Sequence, residues 1–460
     1  MIRLQNRRDQ TIAVFGLGSS GIITARALAA AGVDVLAWDD SASQRKKAKK
    51  EPFSIQNLYS YDFSKIDTLV LAPGVPYKHI SHPIAQKAQA ACRPILGDIE
   101  LLIEACPTTK FIGVTGTNGK STTTALIGQM LQTAGIKNQI GGNLGPPALG
   151  LNQPSAGEII VLELSSYQLD LTRNATLDIA VFLNMSPDHL DRHGDMEEYF
   201  CAKRRIFRDR QNITAPQFAV IGTDEVYGSY LYSELSAKDG WTVYPISISK
   251  TLPNGFYVKD GSLYNQSGTC FCDLKKANNL PGIHNWQNAA ASAAVGYALG
   301  IKSDIIADAI TNYHGLPHRM ENLGVINGVT FINDSKATNS VSAARALACH
   351  KNIYWIAGGL AKNESMEAIK PYLTNIQHAF LIGDAAGAFE AELGDKIEVT
   401  QCGDLETATQ MAYFYASKEY FNKPTVLLSP ACASFDQWQN FEVRGEAFKN
   451  FVASVKSDAK

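Results

Sequence analysis

The sequence predicts an α/β protein of three domains: a Rossmann-like N-terminal unit, a central P-loop sheet with added antiparallel strands, and a Rossmann-like C-terminal unit. Three observations predict it. The apolar run Thr11-Ile-Ala-Val-Phe15 ends in Gly16-Leu-Gly18-Ser-Ser-Gly21, a glycine turn that opens a helix. The run Phe111-Ile-Gly-Val-Thr115 ends in a second glycine loop, Gly116-Thr-Asn-Gly-Lys-Ser121, again followed by a helical pattern. Beyond Gly315, strand-length apolar runs alternate with helical stretches to the C-terminus. The expected boundaries are residues 1–98, 99–314 and 315–460.

In the first segment, Val35-Leu-Ala-Trp38 reads as a second strand ending at Asp39 and Asp40, and Thr68-Leu-Val-Leu-Ala72 as a third ending at Pro73-Gly74. A G-x-G-x-x-G turn with an acidic residue at this distance fits a dinucleotide site, and the same glycines suit any diphosphate lying on a helix N-terminus. The basic run Arg45 to Lys50 reads as a solvated helix face.

In the second segment, Gly116 and Gly119 let backbone N–H groups turn toward a polyphosphate. Lys120 can reach its terminal phosphates, and the Ser121 hydroxyl can ligate Mg²⁺. The spacing departs from G-x-x-x-x-G-K-[ST], because Val114 stands where the first glycine belongs. Ile127, Met130, Leu131 and Ala134 give the following helix an apolar face, and Gly135 ends it. The next strand, Ile159-Ile-Val-Leu-Glu163, is apolar until Glu163 at its C-terminal end, where ligands bind in such sheets. A carboxylate there faces Mg²⁺·ATP or joins a buried ion pair; the polar Ser165, Ser166 and Gln168 that follow favour the metal. His189 and His193 have zinc-like spacing, but Pro187 and Gly194 argue for a loop and no third ligand is evident. Lys203 shares a helical face with Phe200 and Phe207, the setting of a snorkelling side chain. From Phe218 to Leu274, alternation between Gly and Asn turns predicts an inserted antiparallel segment. His284-Asn285-Trp-Gln-Asn288 opens an Ala-rich helix.

Composition excludes several classes. Hydrophobic residues make up 45% and charged residues 19%, with a net charge of −2, so no nucleic-acid partner is expected. No run of about 18 apolar residues and no apolar leader is present, so neither a membrane span nor secretion is expected. The eight cysteines are scattered, as in a reducing cytoplasm.

Gly116-Thr-Asn-Gly-Lys-Ser-Thr122, Glu163-Leu-Ser-Ser166, His284-Asn285 and His318-Arg319 together resemble the motifs of the Mur ligases of peptidoglycan synthesis, over essentially the whole chain. Leu316-Pro-His-Arg-Met-Glu321, Asn333-Asp-Ser-Lys-Ala-Thr-Asn339 and Ser429-Pro-Ala-Cys-Ala-Ser-Phe-Asp-Gln-Trp438, with Asn440-Phe-Glu442 and Arg444-Gly445, narrow the resemblance to the branch that handles D-glutamate. The resemblance implies an ATP-dependent ligation of D-glutamate to UDP-N-acetylmuramoyl-L-alanine through an acyl phosphate, by a monomer using ATP and two Mg²⁺ ions. It implies ATP contacts at Gly116, Thr117, Asn118, Gly119, Lys120, Ser121, Thr122, Asn285, Asn288, Arg319 and Asp334. It implies metal contacts at Ser121, Glu163, His189 and Lys203, the last as a carbamate, with Lys120 beside them in catalysis. The glycine turn becomes a UDP-sugar site formed by Gly18, Ser19, Ser20, Asp40, Gly74, Asn143 and Ser165. The D-glutamate pocket falls to Lys336, Thr338, Lys362, Ser434, Phe435 and Phe441. Two departures stand out: Asp40-Ser41 where relatives often have Thr-Arg, and Leu360-Ala361 within a Gly-Gly-Asp-Gly-Lys pattern that keeps Lys362. A dehydrogenase would leave the Lys120 loop and third domain unexplained. A non-catalytic ATP switch would leave the C-terminal polar clusters unexplained.

Overall fold

Three sheets carry the chain, and the computed structural model describes residues 1–211, 216–360 and 366–458. The first sheet holds β1 (Thr11–Phe15), β2 (Asp34–Trp38), β3 (Ser54–Ile55), β4 (Thr68–Leu71) and β5 (Ile95–Leu96), in the order β3-β2-β1-β4-β5. All its pairings are parallel, so chain order reverses between β1 and β4, where an open α/β sheet forms its ligand crevice. Gly16 has φ +94°, and a Cβ on Gly21 would lie 1.7 Å from Gly16 O. The helix Ser19–Ala30 therefore starts tight against the end of β1.

The second sheet holds β6 (Lys110–Thr115), β7 (Asn138–Gly142), β8 (Ile159–Glu163), β9 (Ile179–Phe182), β10 (Gln217–Gly222), β11 (Trp241–Ser247), β12 (Phe256–Lys259), β13 (Ser262–Tyr264) and β14 (Cys270–Asp273). Its order is β14-β13-β12-β11-β10-β9-β6-β8-β7. The strands β8 and β9 are buried along their whole length, as the apolar runs require.

The antiparallel expectation for 218–274 needs correction. β10 and β11 pair in parallel, joined by the helix Val226–Ser236, and β12 also joins β11 in parallel. Only β12–β13 and β13–β14 are antiparallel. The crossover helix VYGSYLYSELS carries Gly and several Ser and Tyr, so its apolar stripe is weak. Gly228 sits there because a Cβ would lie 1.8 Å from Gly222 O at the end of β10.

Residues Met1–Lys276 and Ile283–Thr311 form one compact unit containing both sheets. A single apolar cluster runs through it, from Val14, Val35 and Val70 of the first sheet to Ile160, Ala180 and Ala219 of the second. The fully buried Glu100 fastens the junction by accepting the N–H groups of Arg173, Asn174 and Ala175 at 2.7, 2.8 and 3.1 Å.

A second unit comprises Ala277–Gly282 and Asn312–Lys460. Its sheet holds β15 (Glu321–Ile326), β16 (Val329–Asn333), β17 (Ile353–Gly358), β18 (Ile376–Ile382), β19 (Glu398–Gly403) and β20 (Thr425–Leu428), in the order β15-β16-β20-β17-β18-β19. Only β15 runs antiparallel. Side chains alternate between two cores: Trp355, Ala379 and Leu427 on one face, Tyr354, Phe380 and Val426 on the other.

Candidate active site

β6 delivers the chain into the loop Gly116–Gly119, and the helix Lys120–Thr133 leaves it. Gly116 has φ +152° and Gly119 φ +82°, and a Cβ on Gly119 would lie 2.2 Å from Asn288 Oδ1. Glycine is therefore required at both positions for conformation, and at Gly119 above all for room. Asn184, just past β9, braces the loop. Its carbonyl accepts Thr117 N at 3.0 Å, and its side-chain oxygen accepts Asn118 N at 2.9 Å. The Asn184 amide donates to Gln287 Oε1 at 2.7 Å. Behind Gly119, Thr123 Oγ1 donates to Asn288 Oδ1 at 3.2 Å and Asn288 Nδ2 to Asn285 Oδ1 at 2.9 Å. The expected P-loop residues, with Thr122 in the helix's first turn, thus come together with Asn285 and Asn288 at a helix N-terminus, a favourable place for phosphate.

Lys120 folds back over this loop, with Nζ donating to Gly116 O at 3.0 Å and Thr117 O at 2.8 Å. Lys203 reaches the same Gly116 carbonyl from the helix Met196–Arg204, at 2.8 Å. Its side chain is 1% exposed, and its Nζ lies 4.6 Å over the Tyr199 ring. Burial first, and the nearby Lys120 charge second, push the Lys203 pKa well below the ordinary lysine value. Such burial favours the nucleophilic amine over the ammonium, whereas a snorkelling lysine keeps its charged head in water.

Glu163 ends β8 at 2% exposure. One carboxylate oxygen accepts Ser121 Oγ at 2.6 Å and the other Asn143 Nδ2 at 2.9 Å. Asn143 is held in turn by its own N–H, which donates to Glu163 O at 2.9 Å. Ser165 caps the next short helix in a reciprocal box with Gln168. His189 adopts φ +55°, strained for a non-glycine residue, before a single helical turn, Leu190–His193, rather than the open loop its neighbours suggested. The His189 ring lies 5.0 Å from Tyr167, and burial lowers its pKa.

Among the described residues, no group of three or more His, Cys, Asp or Glu is arranged to hold a metal. The buried carboxylate and hydroxyl of Glu163 and Ser121 nevertheless fit Mg²⁺, which takes one or two protein oxygens and completes its shell with water and phosphate.

At the first sheet, Gly18 precedes the helix whose first residues are Ser19 and Ser20, and Gly74 follows β4. Ser20 Oγ donates to Asp98 Oδ2 at 2.6 Å. The Asp39 carboxylate is occupied by the N–H groups of Leu17 at 2.6 Å and Ser41 at 2.7 Å, so it braces the glycine turn. Asp40 lies beside it with its side chain 54% exposed.

In the second unit, Asp334 follows β16 and accepts Ser429 Oγ at 2.9 Å and Met320 N at 3.2 Å. Burial pushes its pKa up to about 7, opposed by those hydrogen bonds and by Arg319. His318 and Met320, flanking Arg319, and Ala431 in the loop after β20 all have positive φ, at +61°, +46° and +59°. Such strain clusters at functional sites. Lys336 Nζ lies 3.8 Å over the Phe441 ring. Ser434 is buried and Phe435 exposed. Arg444, 1% exposed, ties these segments by donating to Ser335 Oγ, Ser335 O and Cys432 O at 3.0, 2.9 and 3.0 Å. Thr338 stands just before the helix Ser340–Cys349, and Lys362 lies outside the described residues. Asn184, Gln287 and Tyr199 carry no signal in the sequence beyond the polar residues at strand ends that include Asn184, and Arg444 stands there only as part of a motif.

Residues 114–296 match the Mur ligase middle domain, and residues 318–432 the Mur ligase, glutamate ligase domain. The chain is 45% identical over 462 residues to the UDP-N-acetylmuramoylalanine--D-glutamate ligase of Caulobacter vibrioides, covering 98% of this chain and 97% of that one. It is 44% identical to the same-named enzyme of Phenylobacterium zucineum, covering 99% and 98%. Among solved structures, the fold resembles the UDP-N-acetylmuramate-alanine ligase of Thermotoga maritima, with TM-score 0.60, 16% identity and coverage of 97% and 100%. It also resembles the MurF ligase of Thermotoga maritima in complex with ADP, with TM-score 0.59, 16% identity and full coverage of both chains.

Proposed function

The chain belongs to the Mur ligase family, and from that premise we propose that it joins D-glutamate to UDP-N-acetylmuramoyl-L-alanine at the expense of ATP, in peptidoglycan precursor synthesis. The carboxylate of the UDP-sugar–alanine attacks the γ-phosphorus of ATP, and ADP leaves. The D-glutamate nitrogen then attacks the acyl phosphate carbon and loses a proton. The tetrahedral adduct collapses, expelling phosphate and leaving the amide. A carboxylate is a poor electrophile, and phosphorylation gives it a leaving group.

The convergence of Lys120, Lys203, Ser121 and Glu163 around the Gly116–Gly119 loop carries this reading. Two anions must approach each other, so fixed positive charge and N–H dipoles are needed where charge builds up. Lys120 leaves the loop carbonyls for the terminal phosphates, and the helix N-terminus supports them. Ser121, Glu163 and His189, with Lys203 as a carbamate, would hold two Mg²⁺ ions. Bound Mg²⁺ would neutralise phosphate charge and polarise the acyl group. In its unprotonated form the Lys203 amine takes up CO₂ at Nζ, loses a proton, and becomes an anion.

Residues 1–98 bind the UDP-sugar, residues 99–314 bind ATP, and residues 315–460 bind D-glutamate. Asn143 and Ser165 extend the UDP-sugar path toward Glu163. Arg319 and Asp334 contribute to ATP. Lys336, Thr338, Lys362, Ser434, Phe435 and Phe441 recognise D-glutamate. No helix among the described residues is long and apolar enough to cross a membrane. A cytoplasmic monomer, with neither nucleic acid nor membrane as partner, fits these substrates. Incubation with ATP, Mg²⁺, UDP-N-acetylmuramoyl-L-alanine and D-glutamate, read by mass spectrometry, should give the UDP-sugar dipeptide. ATP consumption without a new amide would refute the reading.

A further inference from the structure

One side chain joins the two ends of the proposed UDP-sugar path. Gly74 lies in a tight turn after β4, closed by Val75 N, which donates to Ala72 O at 2.9 Å. This turn packs on the first glycine turn: a Cβ on Gly16 would lie 2.7 Å from Ala72 Cβ and 3.3 Å from Val75 Cγ2. Arg192 Nη2 donates to Val75 O at 2.7 Å, across 117 residues of chain. Arg192 belongs to the single helical turn Leu190–His193, which is bound back to His189: the N–H groups of Arg192 and His193 both donate to His189 O, each at 3.1 Å. The Arg192 guanidinium carbon lies 5.2 Å from the centre of the Tyr167 ring, and the same ring lies 5.0 Å from His189. Arg192 therefore touches both the turn that carries Gly74 and the ring that backs His189.

The chain that follows Val75 is fastened separately. Tyr77 OH donates to Asp170 O at 2.6 Å, and Lys78 pairs with the Asp170 carboxylate. A Cβ on Gly194 would lie 3.0 Å from the His79 ring, so this segment also sits close on the turn that holds Arg192. With these contacts in place, Arg192 is not required simply to hold the loop down. It also carries a cost, because its Nη1 is buried with no hydrogen-bond partner among the described residues. A smaller neutral donor would close the Val75 contact without that cost. The guanidinium adds a planar face for the Tyr167 ring while one edge donates to Val75 O, two contacts that an ammonium cannot make together.

Building on the UDP-sugar reading, we propose that Arg192 is a positioning residue: it fixes the spacing between the turn at Gly74 and His189, so that binding the diphosphate at one end places the alanine carboxylate at the other. The UDP-sugar–alanine is a single molecule that must satisfy both ends at once. Slack between them lets the carboxylate drift from the γ-phosphorus of ATP, and a misplacement of about 1 Å costs about 10²-fold in rate. Tyr167 transmits the half of this tie that reaches His189, and Val75 O takes the half that reaches Gly74.

The test compares the full chain as wild type, Arg192→Ala, Arg192→Lys and Tyr167→Leu, by isothermal titration with UDP, by melting temperature, and by steady-state kinetics with UDP-N-acetylmuramoyl-L-alanine, ATP, Mg²⁺ and D-glutamate. Arg192→Ala should weaken UDP about threefold to thirtyfold, the scale on which a residue touching neither ligand modulates a site. It should also lower kcat about tenfold to a hundredfold, with the KM for ATP unchanged. Tyr167→Leu leaves the Val75 contact intact, so it should lower kcat while UDP affinity stays at the wild-type value. Arg192→Lys keeps the charge but loses the planar contact, so it should lower kcat as Tyr167→Leu does; it carries the kinetic test if Arg192→Ala does not fold. A contact that only holds the fold together would lower the melting temperature and leave kcat at saturating substrate unchanged. If wild type binds UDP, and the folded Arg192 variants or Tyr167→Leu keep wild-type kcat, the inference is wrong while the UDP site stands. If wild type binds no UDP, the site assignment itself falls and the inference goes with it.

Discussion

Replacing Lys203 probes the centre of the proposed site. The side chain is 1% exposed, and its amine donates one 2.8 Å hydrogen bond, to Gly116 O. Truncation to alanine loses that bond, worth about 1 kcal/mol net. Loss of the four-carbon stem adds a cavity, so the whole cost should be about 2–4 kcal/mol, as for other long buried side chains cut to alanine. Gly116 O keeps Lys120 Nζ at 3.0 Å, so no carbonyl is orphaned and Lys203→Ala should remain folded, with a lower melting temperature. Turnover should fall much further, by about 10²–10³-fold, the scale for removing one preorganised electrostatic partner from a water-excluded site. Formate, a small carboxylate, should fill the vacated anionic position and restore part of kcat. Lys203→Arg should be no better than alanine, since arginine keeps a charge and cannot form a carbamate. Carbon-13 NMR in labelled bicarbonate gives a readout independent of activity: a carbamate carbonyl signal in wild type, absent from both variants. Near-normal activity of Lys203→Arg, or no carbamate signal in an active wild-type sample, would refute the reasoning.

Gly119→Ala should abolish ATP binding measured by titration, because φ +82° and a Cβ 2.2 Å from Asn288 Oδ1 force the loop to move; unchanged affinity would remove the loop from the nucleotide site. Lys336→Ala should raise the KM for D-glutamate, by an amount corresponding to about 2–5 kcal/mol, far more than the KM for ATP; equal changes in both would contradict its placement in the amino-acid pocket. Asp334 has a folded-state pKa raised to about 7, so its contribution to stability is fully present below the ordinary carboxylate pKa and is lost as pH rises through 7. Asp334→Asn should therefore flatten the fall in melting temperature from pH 5 to pH 8, and an unaltered pH profile would show that this carboxylate does not titrate there.

The strands flanking the glycine loops were legible because each is a short apolar run that ends in a residue only a loop can use. Glu163 was legible for the same reason, as a carboxylate at the end of an otherwise apolar strand. The crossover between β10 and β11 was not. Its helix buries only Gly228, Leu231 and Leu235, and the surrounding Gly and Asn turns look the same whether strands run parallel or antiparallel. Lys203 could be placed on a helical face with Phe200 and Phe207, but only folding brings its amine onto Gly116 O, 87 residues away. Asn184 and Gln287, 103 residues apart, meet in the same way. Asp39 and Asp40 are adjacent and chemically alike in the sequence. The partners that separate them, Leu17 for one and Tyr59 with His82 for the other, come from strand order and register.

A chain that activates a UDP-sugar–alanine carboxylate with ATP and passes it to the amine of D-glutamate must couple phosphate release to that amino acid. Phosphate release in the presence of ATP, Mg²⁺ and UDP-N-acetylmuramoyl-L-alanine, measured while the amino acid is varied, tests it most directly. Release should depend on D-glutamate and should not be supported by L-glutamate, L-lysine or meso-diaminopimelate. Release that is the same with every amino acid, or with none, would contradict it.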